Sequence, residues 1–491
     1  MKKWIAIIVA IIVLGGAGYY LANTFIIKDE KETKSLDVAA LVESKPLPIP
    51  PLLEDLDPSP DSSEYHITAQ HGEHEIIDGV MSETLGYNGD FLGPAIRVRE
   101  GNKVKMVVDN ELNEATTLHW HGLRVIGDYD GGPYQIIDPE ETWEPEFTIE
   151  QPAATLWFHP HYMERTAKQI YEGLAGLLLI EDEITDQLDI PKDYGENDFP
   201  LIVQDKRMDA EGSIRYNPSL TDIMRGFIGN AFFVNGAISP YLDVPQGVVR
   251  FRVVNASNGR TYHLSLDNDE EFYQIASDGG LLEDAVPMTG LRISPGERAE
   301  ILVDFSTFEP GEKITLINED SKVENSGSDT EPDADIMEFV VTDEQSPVTK
   351  IAKQLTSIER EIEEDAVKTR EFVMAGVGDR LTINDEVMDM DRIDEEVNFN
   401  DTEIWEVSNK RTGINGGMAH PFHAHGVQFQ VLDRDGEEPP ANETGWKDTV
   451  LIQPGENVRL IATFKHKGIF MYHCHILEHE DAGMMGQYEV K

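Results

Sequence analysis

Short runs of alternating apolar and polar residues begin near residue 65 and continue to the C-terminus. The runs 95–99 and 103–108 are two of them, and the residues Glu100-Gly101-Asn102 between them suit a turn. Successive side chains of a strand point to opposite faces, so each run predicts a strand. Many short strands with turns between them are typical of β-sandwiches and barrels. The pattern therefore predicts an all-β protein.

Two phrases recur along this pattern. Each of the segments 95–110, 241–255 and 402–409 is a predicted strand region that leads to an asparagine. The sequence Pro-Gly-Glu, followed by an apolar strand, occurs in 294–303 and again in 453–462. Similar phrases at domain-sized intervals indicate repeated structural units. We therefore predict three copies of one β-sandwich.

The proposed domains span 65–190, 195–343 and 369–491, and a length of 491 residues is sufficient for three cores. Residues 350–364 are charged and carry apolar residues at helical spacing. The linker 344–368 is therefore predicted to contain a helix that lies over the surface. The middle domain contains no cluster of candidate ligands, and we expect it to act as a spacer that lets the outer domains meet.

The N-terminus differs from the rest of the chain. Lys2 and Lys3 precede the apolar run 4–22, which is long enough to span a bilayer. Positive residues tend to stay in the cytoplasm, so the remaining chain is predicted to be extracytoplasmic. We interpret residues 1–27 as an uncleaved membrane anchor, with a cleaved signal peptide and a secreted protein as the alternative. Residues 28–64, charged and then Pro-rich, are predicted to form an extended linker between membrane and body.

Charge excludes one class of partner. The chain contains 92 Asp and Glu against 40 Lys and Arg, a formal net charge of −52. Such a surface repels nucleic acid, and we interpret it as a solvated or salt-adapted surface rather than as an acidic binding site. With a single cysteine in 491 residues, an internal disulfide bond is impossible.

Histidine is concentrated in four short segments, which hold ten of the 15 histidines. Two residues separated by one share a face of a strand, so a His-x-His pair can point into one cavity. The four pairs are His119 and His121, His159 and His161, His423 and His425, and His473 and His475. These imidazoles are too many for one metal ion but suffice for three, with open positions for an oxygen ligand. Because the pairs come from the first and last domains, we expect the cluster at their interface.

A second donor set remains, made of His420, Cys474, His479 and Met484. An isolated cysteine is most often a buried apolar residue, but two imidazoles, a thiolate and a weak axial sulfur describe a blue-copper centre. Zinc sites repeat cysteine and do not use an axial methionine. If residues 470–475 form a strand, the cysteine faces one site and its two histidine neighbours face the other. Electrons collected at the sulfur would then cross only a short stretch of chain.

The four segments occur in the order of the copper-binding motifs of multicopper oxidases. Residues 65–491 resemble the bacterial three-domain branch of that family, which includes laccases, spore-coat oxidases and copper-efflux oxidases. The resemblance implies three cupredoxin-like Greek-key β-sandwiches and four copper ions. It assigns the type 1 copper to His420, Cys474, His479 and Met484, the type 2 copper to His119 and His423, and the two type 3 ions to His121, His159 and His475 and to His161, His425 and His473.

The implied activity is the one-electron oxidation of a small donor coupled to the four-electron reduction of O2 to water. Phenols, aromatic amines and metal ions are suitable donors, and we expect them to dock at an exposed edge near His420 and His479. Besides Cys474, the candidate catalytic residues are Glu480 and Asp130. They occupy positions where related oxidases carry acidic residues that deliver protons or orient ligands. In a chain with 92 acidic residues, composition alone also explains a carboxylate at either position.

Three alternatives remain. A copper-efflux oxidase would take cuprous ions as donor; Met388, Met390 and Met418 indicate this weakly, although residues 344–370 lack a Met-rich stretch. A structural or division-linked protein would keep the fold without the chemistry, but such relatives lack the ligands that this sequence retains. A two-domain nitrite reductase or a simple electron carrier does not need the complete double set of His-x-His pairs.

Overall fold

Strands dominate the part of the chain that the computed structural model describes, and the prediction of an all-β protein is confirmed. The described residues are 43–57, 59–209, 211–319, 334–377, 380–411 and 417–491. The predicted anchor and the first part of the predicted linker lie outside these ranges. Within them, every helix is too short or too polar to cross a membrane.

The strands form six sheets, which fall into three pairs along the chain. The strands of the first pair are β1 (Ser62–Ile77), β2 (Val80–Tyr87), β3 (Ala95–Arg99), β4 (Lys103–Asn110), β5 (His119–His121), β6 (Thr142–Trp143), β7 (Glu146–Thr148), β8 (Ala154–His159) and β9 (Gly176–Glu181). Their order is β2-β1-β4-β6 in one sheet, with β7 also beside β4, and β3-β9-β8-β5 in the other. The chain therefore crosses between sheets repeatedly, as in a Greek-key sandwich.

The second pair has the largest sheet. Its strands are β10 (Asp198–Lys206), β11 (Ala231–Val234), β12 (Ala237–Ile238), β13 (Tyr241–Gln246), β14 (Val248–Asn255), β15 (Tyr262–Leu266), β16 (Phe272–Ser277), β17 (Gly280–Met288), β18 (Leu291–Ile293), β19 (Arg298–Asp304), β20 (Lys313–Asn318) and β21 (Ala334–Gln345). Their order is β12-β11-β10-β14-β19-β16-β17 and β13-β21-β20-β15-β18.

The third pair ends the chain. Its strands are β22 (Lys368–Val377), β23 (Arg380–Ile383), β24 (Glu395–Val397), β25 (Thr402–Asn409), β26 (His420–Ala424), β27 (Gln430–Arg434), β28 (Thr449–Ile452), β29 (Asn457–Thr463), β30 (Gly468–Cys474) and β31 (Met485–Val490). Their order is β23-β22-β25-β29-β27 and β24-β31-β30-β26-β28. Each pair encloses its own apolar core. The pairs are separated by residues 182–197 and 346–367, and we retain the proposed domain bounds there.

Four short α-helices lie within the described ranges. They are α1 (Thr166–Glu172), α2 (Glu183–Gln187), α3 (Leu220–Arg225) and α4 (Leu477–Asp481). The carboxylate of Asp481 accepts hydrogen bonds from the amides of Thr166 and Ala167, at 3.1 and 3.0 Å. It thereby caps the start of α1 and fixes α4 of the third sandwich against the first.

The first repeated phrase corresponds to the same strand pairing in each sandwich. In each sandwich the first strand pairs in parallel with a strand that ends in asparagine, namely β1 with β4, β10 with β14 and β22 with β25. In the middle and third sandwiches the asparagine then joins the two sheets. In the middle sandwich, Asn255 Nδ2 donates to the carbonyls of Arg260 and Ile293, at 2.8 and 3.0 Å, and Ile293 belongs to the facing sheet. In the third sandwich, Asn409 does the same with Ile452.

We expect Asn255→Ala to lower the free energy of unfolding of the middle sandwich by about 2–3 kcal/mol, because it leaves buried backbone groups without partners. Calorimetry of the full chain measures the change. The control is Asn268→Ala, which removes an asparagine from an exposed turn of the same sandwich. Equal stability of the two variants would contradict the cross-linking role.

The third sandwich separates its side chains by face. Phe422 is opposite Cys474 in the register of β26 and β30, and both side chains belong to the apolar core. His423 and His473, one position away on the same strands, are also opposite each other. Because side chains alternate along a strand, these imidazoles lie on the other face. The cysteine thus faces into the sandwich while the neighbouring imidazoles face out of it.

Part of the linker predicted at 28–64 is not a free spacer. Leu47 is buried in the core of the second sandwich, and its amide donates to the carbonyl of Tyr241 at 2.7 Å. A few residues later, the amide of Leu53 donates to the carbonyl of Ala95 in the first sandwich at 2.9 Å. The stretch is extended, as predicted, but it lies against both sandwiches. Proline has no N–H, so such a stretch is suited to the edge of a sheet.

The prediction of a helix within 344–368 is wrong. Apart from one 3-10 turn, the segment has no helical structure. The carbonyl of Val348 accepts from the amide of Val248 at 2.9 Å, and the amide of Leu355 donates to the carbonyl of Glu283 at 2.8 Å. The segment therefore pairs with strands of the middle sandwich, and its buried apolar side chains cover that sandwich rather than form a helical face.

Candidate metal centre

The paired histidines lie where the first and third sandwiches meet. His119 is opposite His159 in the register of β5 and β8. The ring of His119 also stacks on His425 of the third sandwich, with the ring centroids 3.8 Å apart. A second stack, of His121 on His423, has the same separation. The structure thus brings together the pairs of both outer domains.

Ring nitrogens converge inside this cluster. The Nε2 atoms of His161 and His425 each lie 3.2 Å from Nε2 of His473, and Nδ1 of His121 lies 3.3 Å from Nε2 of His159. Three trios have nitrogens within 4.8 Å of one another: His161, His425 and His473; His119, His121 and His159; and His119, His423 and His425.

These trios compare closely with the sets that the resemblance implied. The first trio is identical to the set for one type 3 ion. His119 and His423, the implied type 2 ligands, share the third trio. His475 lies beside the second trio rather than in it, and its ring centroid is 4.9 Å from that of His121.

Burial makes these imidazoles neutral donors. It lowers the pKa of the rings well below the ordinary histidine value, and neighbouring imidazoles add to the effect, at His121, His159, His161, His425, His473 and His475. Nε2 of His119, Nε2 of His423 and both nitrogens of His475 have no hydrogen-bond partner among the described residues. Buried polar atoms are rarely left unpaired. Converging, unpaired imidazole nitrogens fit a metal that prefers nitrogen ligands, and copper is such a metal.

Backbone carbonyls fix which nitrogen points inward. Nδ1 of His119 donates to the carbonyl of Asp130 at 2.9 Å, and Nδ1 of His423 donates to the carbonyl of Asp448 at 2.8 Å. Nδ1 of His159 similarly donates to its neighbour Pro160 at 2.8 Å. A histidine that donates through Nδ1 keeps the lone pair of Nε2 free for a metal. The proposed ligand atoms of these three rings are therefore Nε2.

Both predicted carboxylates lie against the cluster. Oδ2 of Asp130 is 2.8 Å from Nδ1 of His425. Oε2 of Glu480 is 3.3 Å from Nδ1 of His473, and its Oε1 is 3.6 Å from Nδ1 of His161. Burial, with the charge of Asp481 adding to it, raises the pKa of Glu480 well above its usual range. This shift favours the protonated form of Glu480 at the edge of the histidine cluster.

The second donor set lies inside the third sandwich. Sγ of Cys474 is 3.5 Å from Nδ1 of His420 and 3.6 Å from Nδ1 of His479. The amide of Cys474 donates to the carbonyl of Met484 at 3.0 Å, and the Met484 side chain is buried in the same core. Burial raises the pKa of the thiol and lowers the pKa of His479 to about 4. Between two neutral imidazoles the buried thiol ionises only when a soft cation binds it, which again fits copper.

The expectation that His420 and His479 form an exposed edge is wrong. Their exposed fractions are 3% and 0%. Met224, in α3 of the middle sandwich, packs against the core of the third sandwich, as does Met418. The middle sandwich thus packs against the core that contains Cys474 and Met484, and an external donor finds neither imidazole exposed.

Two family models, each described as multicopper oxidase, match residues 68–184 and 356–491, which include all four histidine segments. The chain belongs to the multicopper oxidase family. The family that the motifs indicated is thereby confirmed, and membership implies copper as the metal of this protein.

Similar proteins cover most of the chain. The multicopper oxidase mco of Staphylococcus haemolyticus is 40% identical over 426 residues, which are 87% of this chain and 88% of that protein. The crystal structure of the laccase from Pediococcus acidilactici is 39% identical with a TM-score of 0.84, covering 91% of this chain and 94% of that one. The cell division protein FtsP of Escherichia coli is 35% identical over 461 residues, covering 92% and 94%. The laccase structure confirms cupredoxin-like sandwiches.

Two residues of this multicopper oxidase that the sequence did not single out touch the cluster. Oδ1 of Asp448 lies 3.1 Å from Nε2 of His121. Oγ1 of Thr449 lies 3.2 Å from that same atom and 3.1 Å from Nδ1 of His423. The contact arises because Thr449 is opposite His423 in the register of β26 and β28. An acidic residue before a threonine is too common a local pattern to have revealed it.

Proposed function

We propose that this chain is a laccase-like oxidase, which couples the one-electron oxidation of phenolic, aromatic or metal-ion donors to the four-electron reduction of O2 to two molecules of water. The observation that carries this proposal is the tripeptide His473-Cys474-His475. Its sulfur belongs to one buried donor set and its imidazoles to another. One strand therefore connects a site for single electrons with a site that can hold several metal ions.

Copper would be held by the buried side chains that the motifs indicated, and it would supply the one-electron chemistry that these side chains lack. The proposed type 1 ligands are His420, Cys474, His479 and Met484, the type 2 ligands are His119 and His423, and the type 3 ligands are His121, His159 and His475 for one ion and His161, His425 and His473 for the other. The distances, neutral rings and unpaired nitrogens described above support this assignment.

Glu480 and Asp130 are proposed to handle the protons that O2 reduction consumes. Glu480 contacts two imidazoles with an otherwise unpaired carboxyl group, so it can release a proton toward the cavity and be reprotonated. Asp130 contacts the rings of His119 and His425, at 3.4 and 2.8 Å, and it therefore also orients two proposed ligands. The imidazoles and both carboxyl groups are buried, which keeps bulk water from competing for these groups.

A count of metal ions and electrons tests the proposal. We expect the copper-loaded full chain to bind four copper ions, to be blue, and to take up four electron equivalents in an anaerobic reductive titration. Admission of air should then reoxidise it. An electron carrier would accept a single equivalent. A chain that binds no copper, or that air does not reoxidise, would contradict the proposed oxidase.

The likeness to the cell division protein FtsP keeps a non-catalytic role as the alternative. The donor set argues for the oxidase, because all twelve proposed ligands are present and buried. A protein with only a structural role gains no stability from a group of imidazoles that lack partners, since unpaired buried polar groups are unfavourable. The electron count above separates the two roles.

Cuprous ion is a second candidate donor because of where the methionines lie. Met224 and Met418 pack against the core that holds the type 1 ligands. The amide of Met388 donates to the carbonyl of Gly483 at 3.0 Å, immediately before Met484. The side chains of Met224, Met388 and Met418, none of which is a proposed ligand, are partly exposed. Thioethers are soft ligands that select Cu(I), so these three methionines suit a cuprous donor.

We expect leucine at Met224, Met388 and Met418 together to lower the rate of cuprous oxidation by roughly tenfold or more, because soft ligands are lost, and to change phenol oxidation much less. Oxygen uptake with each donor measures both rates. The matched control is Met81→Leu, at a half-exposed methionine in β2 of the first sandwich. Equal loss with both donors would contradict a cuprous site.

A further inference from the structure

The second repeated phrase, Pro-Gly-Glu, forms the same turn in two sandwiches. In the middle sandwich, Oε2 of Glu297 accepts from the amide of Ser294 at 2.7 Å; in the third, Oε2 of Glu456 accepts from the amide of Gln453 at 2.6 Å. The glycines of the two turns have φ angles of 85° and 86°. The residue after the glutamate differs. It is Arg298 in the middle sandwich and Asn457 in the third.

Arg298 is buried and uses all five of its N–H donors. Its two Nη atoms donate to the two carboxylate oxygens of Asp448, each at 2.6 Å. The same nitrogens also donate to the carbonyls of Gly296 and Asp278, both at 3.0 Å. Nε donates to the carbonyl of Thr155 at 3.2 Å, in the strand that leads to His159. One side chain of the middle sandwich thus reaches both outer sandwiches.

Asp448 connects Arg298 to the histidine cluster. Its Oδ1, bound to Arg298, lies 3.1 Å from Nε2 of His121. With Nε2 occupied in this way, His121 turns Nδ1 toward Nε2 of His159, at 3.3 Å. Four other rings of the cluster instead donate through Nδ1 to backbone carbonyls. The orientation of His121 therefore depends on the carboxylate that the arginine holds.

The same turn also touches a second proposed ligand. A Cβ atom added to Gly296 would lie 2.8 Å from Cδ2 of His475. A contact this short would force the imidazole to move. Both nitrogens of that ring lack hydrogen-bond partners among the described residues. The backbone of the turn is therefore the nearest support on one side of this ring.

A buried ion network fixes the turn itself. Nζ of Lys447 lies 3.0 Å from both Asp278 Oδ2 and Glu297 Oε1. The lysine belongs to the third sandwich and the two acids to the middle one. Buried ion pairs contribute little net stability compared with apolar packing, but their geometry is restrictive. The network therefore sets the position of the turn more than it holds the domains together.

We propose that the turn 294–298 of the middle sandwich is a positioning element of the histidine cluster, in which Arg298 orients His121 through Asp448 and Gly296 leaves room for His475. The proposal rests on the proposed copper function. It corrects the expectation that the middle domain is only a spacer. Arg298 and Gly296 are positioning residues, because neither is proposed to bind copper.

The first test compares Arg298→Lys with Arg252→Lys. Arg252 is the control, because it is also buried, lies on the neighbouring strand β14, and binds Asp198 through two nitrogens. Its remaining nitrogen donates to Thr155 and Glu300 rather than to Asp448. Lysine keeps the charge but not the two-point contact. We expect Arg298→Lys to weaken the binding of the non-blue copper about 10- to 100-fold, the usual effect of losing a group that orients a ligand. Blue absorption per chain should persist in both variants and serves as an internal reference.

Copper retained per chain after dialysis against a chelator, and the electron paramagnetic resonance signal that appears when a coupled type 3 pair loses one ion, provide the readout without any assay of activity, because His121 is a proposed type 3 ligand. Normal retention and signal in Arg298→Lys would overturn the proposal, as would equal losses in Arg252→Lys. If the wild-type chain itself held no copper, the proposed function would fail as well, so the two failures are distinguishable.

A second comparison guards against an arginine variant that does not fold. Gly296→Ala and Gly455→Ala introduce the same backbone strain, since the two glycines have nearly equal positive φ angles. They differ in what the new methyl group meets, which is the His475 ring at one site and the exposed side chain of Arg411 at the other. We expect only Gly296→Ala to lower the retention of non-blue copper and to produce the signal of an uncoupled type 3 ion. Equal signals in both variants would overturn the proposed contact.

Discussion

Replacing Cys474 with serine is expected to abolish the blue absorption and to lower oxygen consumption by roughly 1000-fold or more. Catalytic residues that act as a unit are not additive, so the loss of one removes most of the activity. Its sulfur lies between Nδ1 of His420 and Nδ1 of His479, at 3.5 and 3.6 Å, and it is the only thiol in the chain. A hydroxyl has similar size but is a hard, weakly acidic ligand. The variant should fold and keep its non-blue copper. Absorption spectra, metal content and oxygen uptake measure the three effects.

Met484→Leu is the matched control for this prediction. It changes a buried side chain of the same set but keeps the thiol and both imidazoles. Since the axial ligand of such a site is weak, the blue absorption should persist. If Cys474→Ser remained blue, or if both variants lost the colour equally, the assignment of Cys474 as the thiolate ligand would be wrong.

Replacing Glu480 with glutamine is expected to slow turnover by about 100-fold or more, the usual contribution of a positioned acid or base. The amide has the size of the carboxyl group, but it cannot deliver a proton to the edge of the cluster. Metal content and blue absorption should be unchanged, because Glu480 is not a proposed ligand. Steady-state oxygen uptake, measured beside these spectra, tests the prediction.

Glu478→Gln is the control, since it alters another buried glutamate of the same helix, α4. The carboxylate of Glu478 accepts from Tyr216, Asn258 and the amide of Phe227, all in the middle sandwich, and not from the cluster. Unchanged turnover in Glu480→Gln would remove this residue from the mechanism. A loss of copper from that variant would assign it a ligand-orienting role instead.

Local periodicity explains why so much of the site could be predicted. Alternation along a strand is independent of the rest of the fold, so the shared direction of His119 and His121 and the opposite orientation of Cys474 follow from sequence alone. In the other three pairs the second histidine lies just past the end of its strand. The three asparagine-ended strands also follow from local pattern, since each sandwich uses Asn110, Asn255 or Asn409 at the same corner. The family resemblance supplied the grouping of histidines into ligand sets, which spacing alone left open.

Long-range contacts explain what could not be predicted. Arg298 and Asp448 are 150 positions apart and meet only when the middle and third sandwiches pack together. The packing of Met224, in α3 of the middle sandwich, against the core of the third sandwich likewise joins distant segments. The linker after the middle sandwich has helical apolar spacing, but its backbone groups find partners on the sandwich surface instead. In each case a distant segment decides the outcome.

Oxygen uptake by the copper-loaded full chain with a simple phenol as donor is the direct test of the oxidase activity, with Cys474→Ser as the reference. We expect uptake in the wild-type chain, one O2 consumed for every four phenol molecules oxidised, and background uptake in the variant. Absence of uptake from a chain shown to be fully loaded with copper, or uptake that the variant retains, would contradict the proposed oxidase activity.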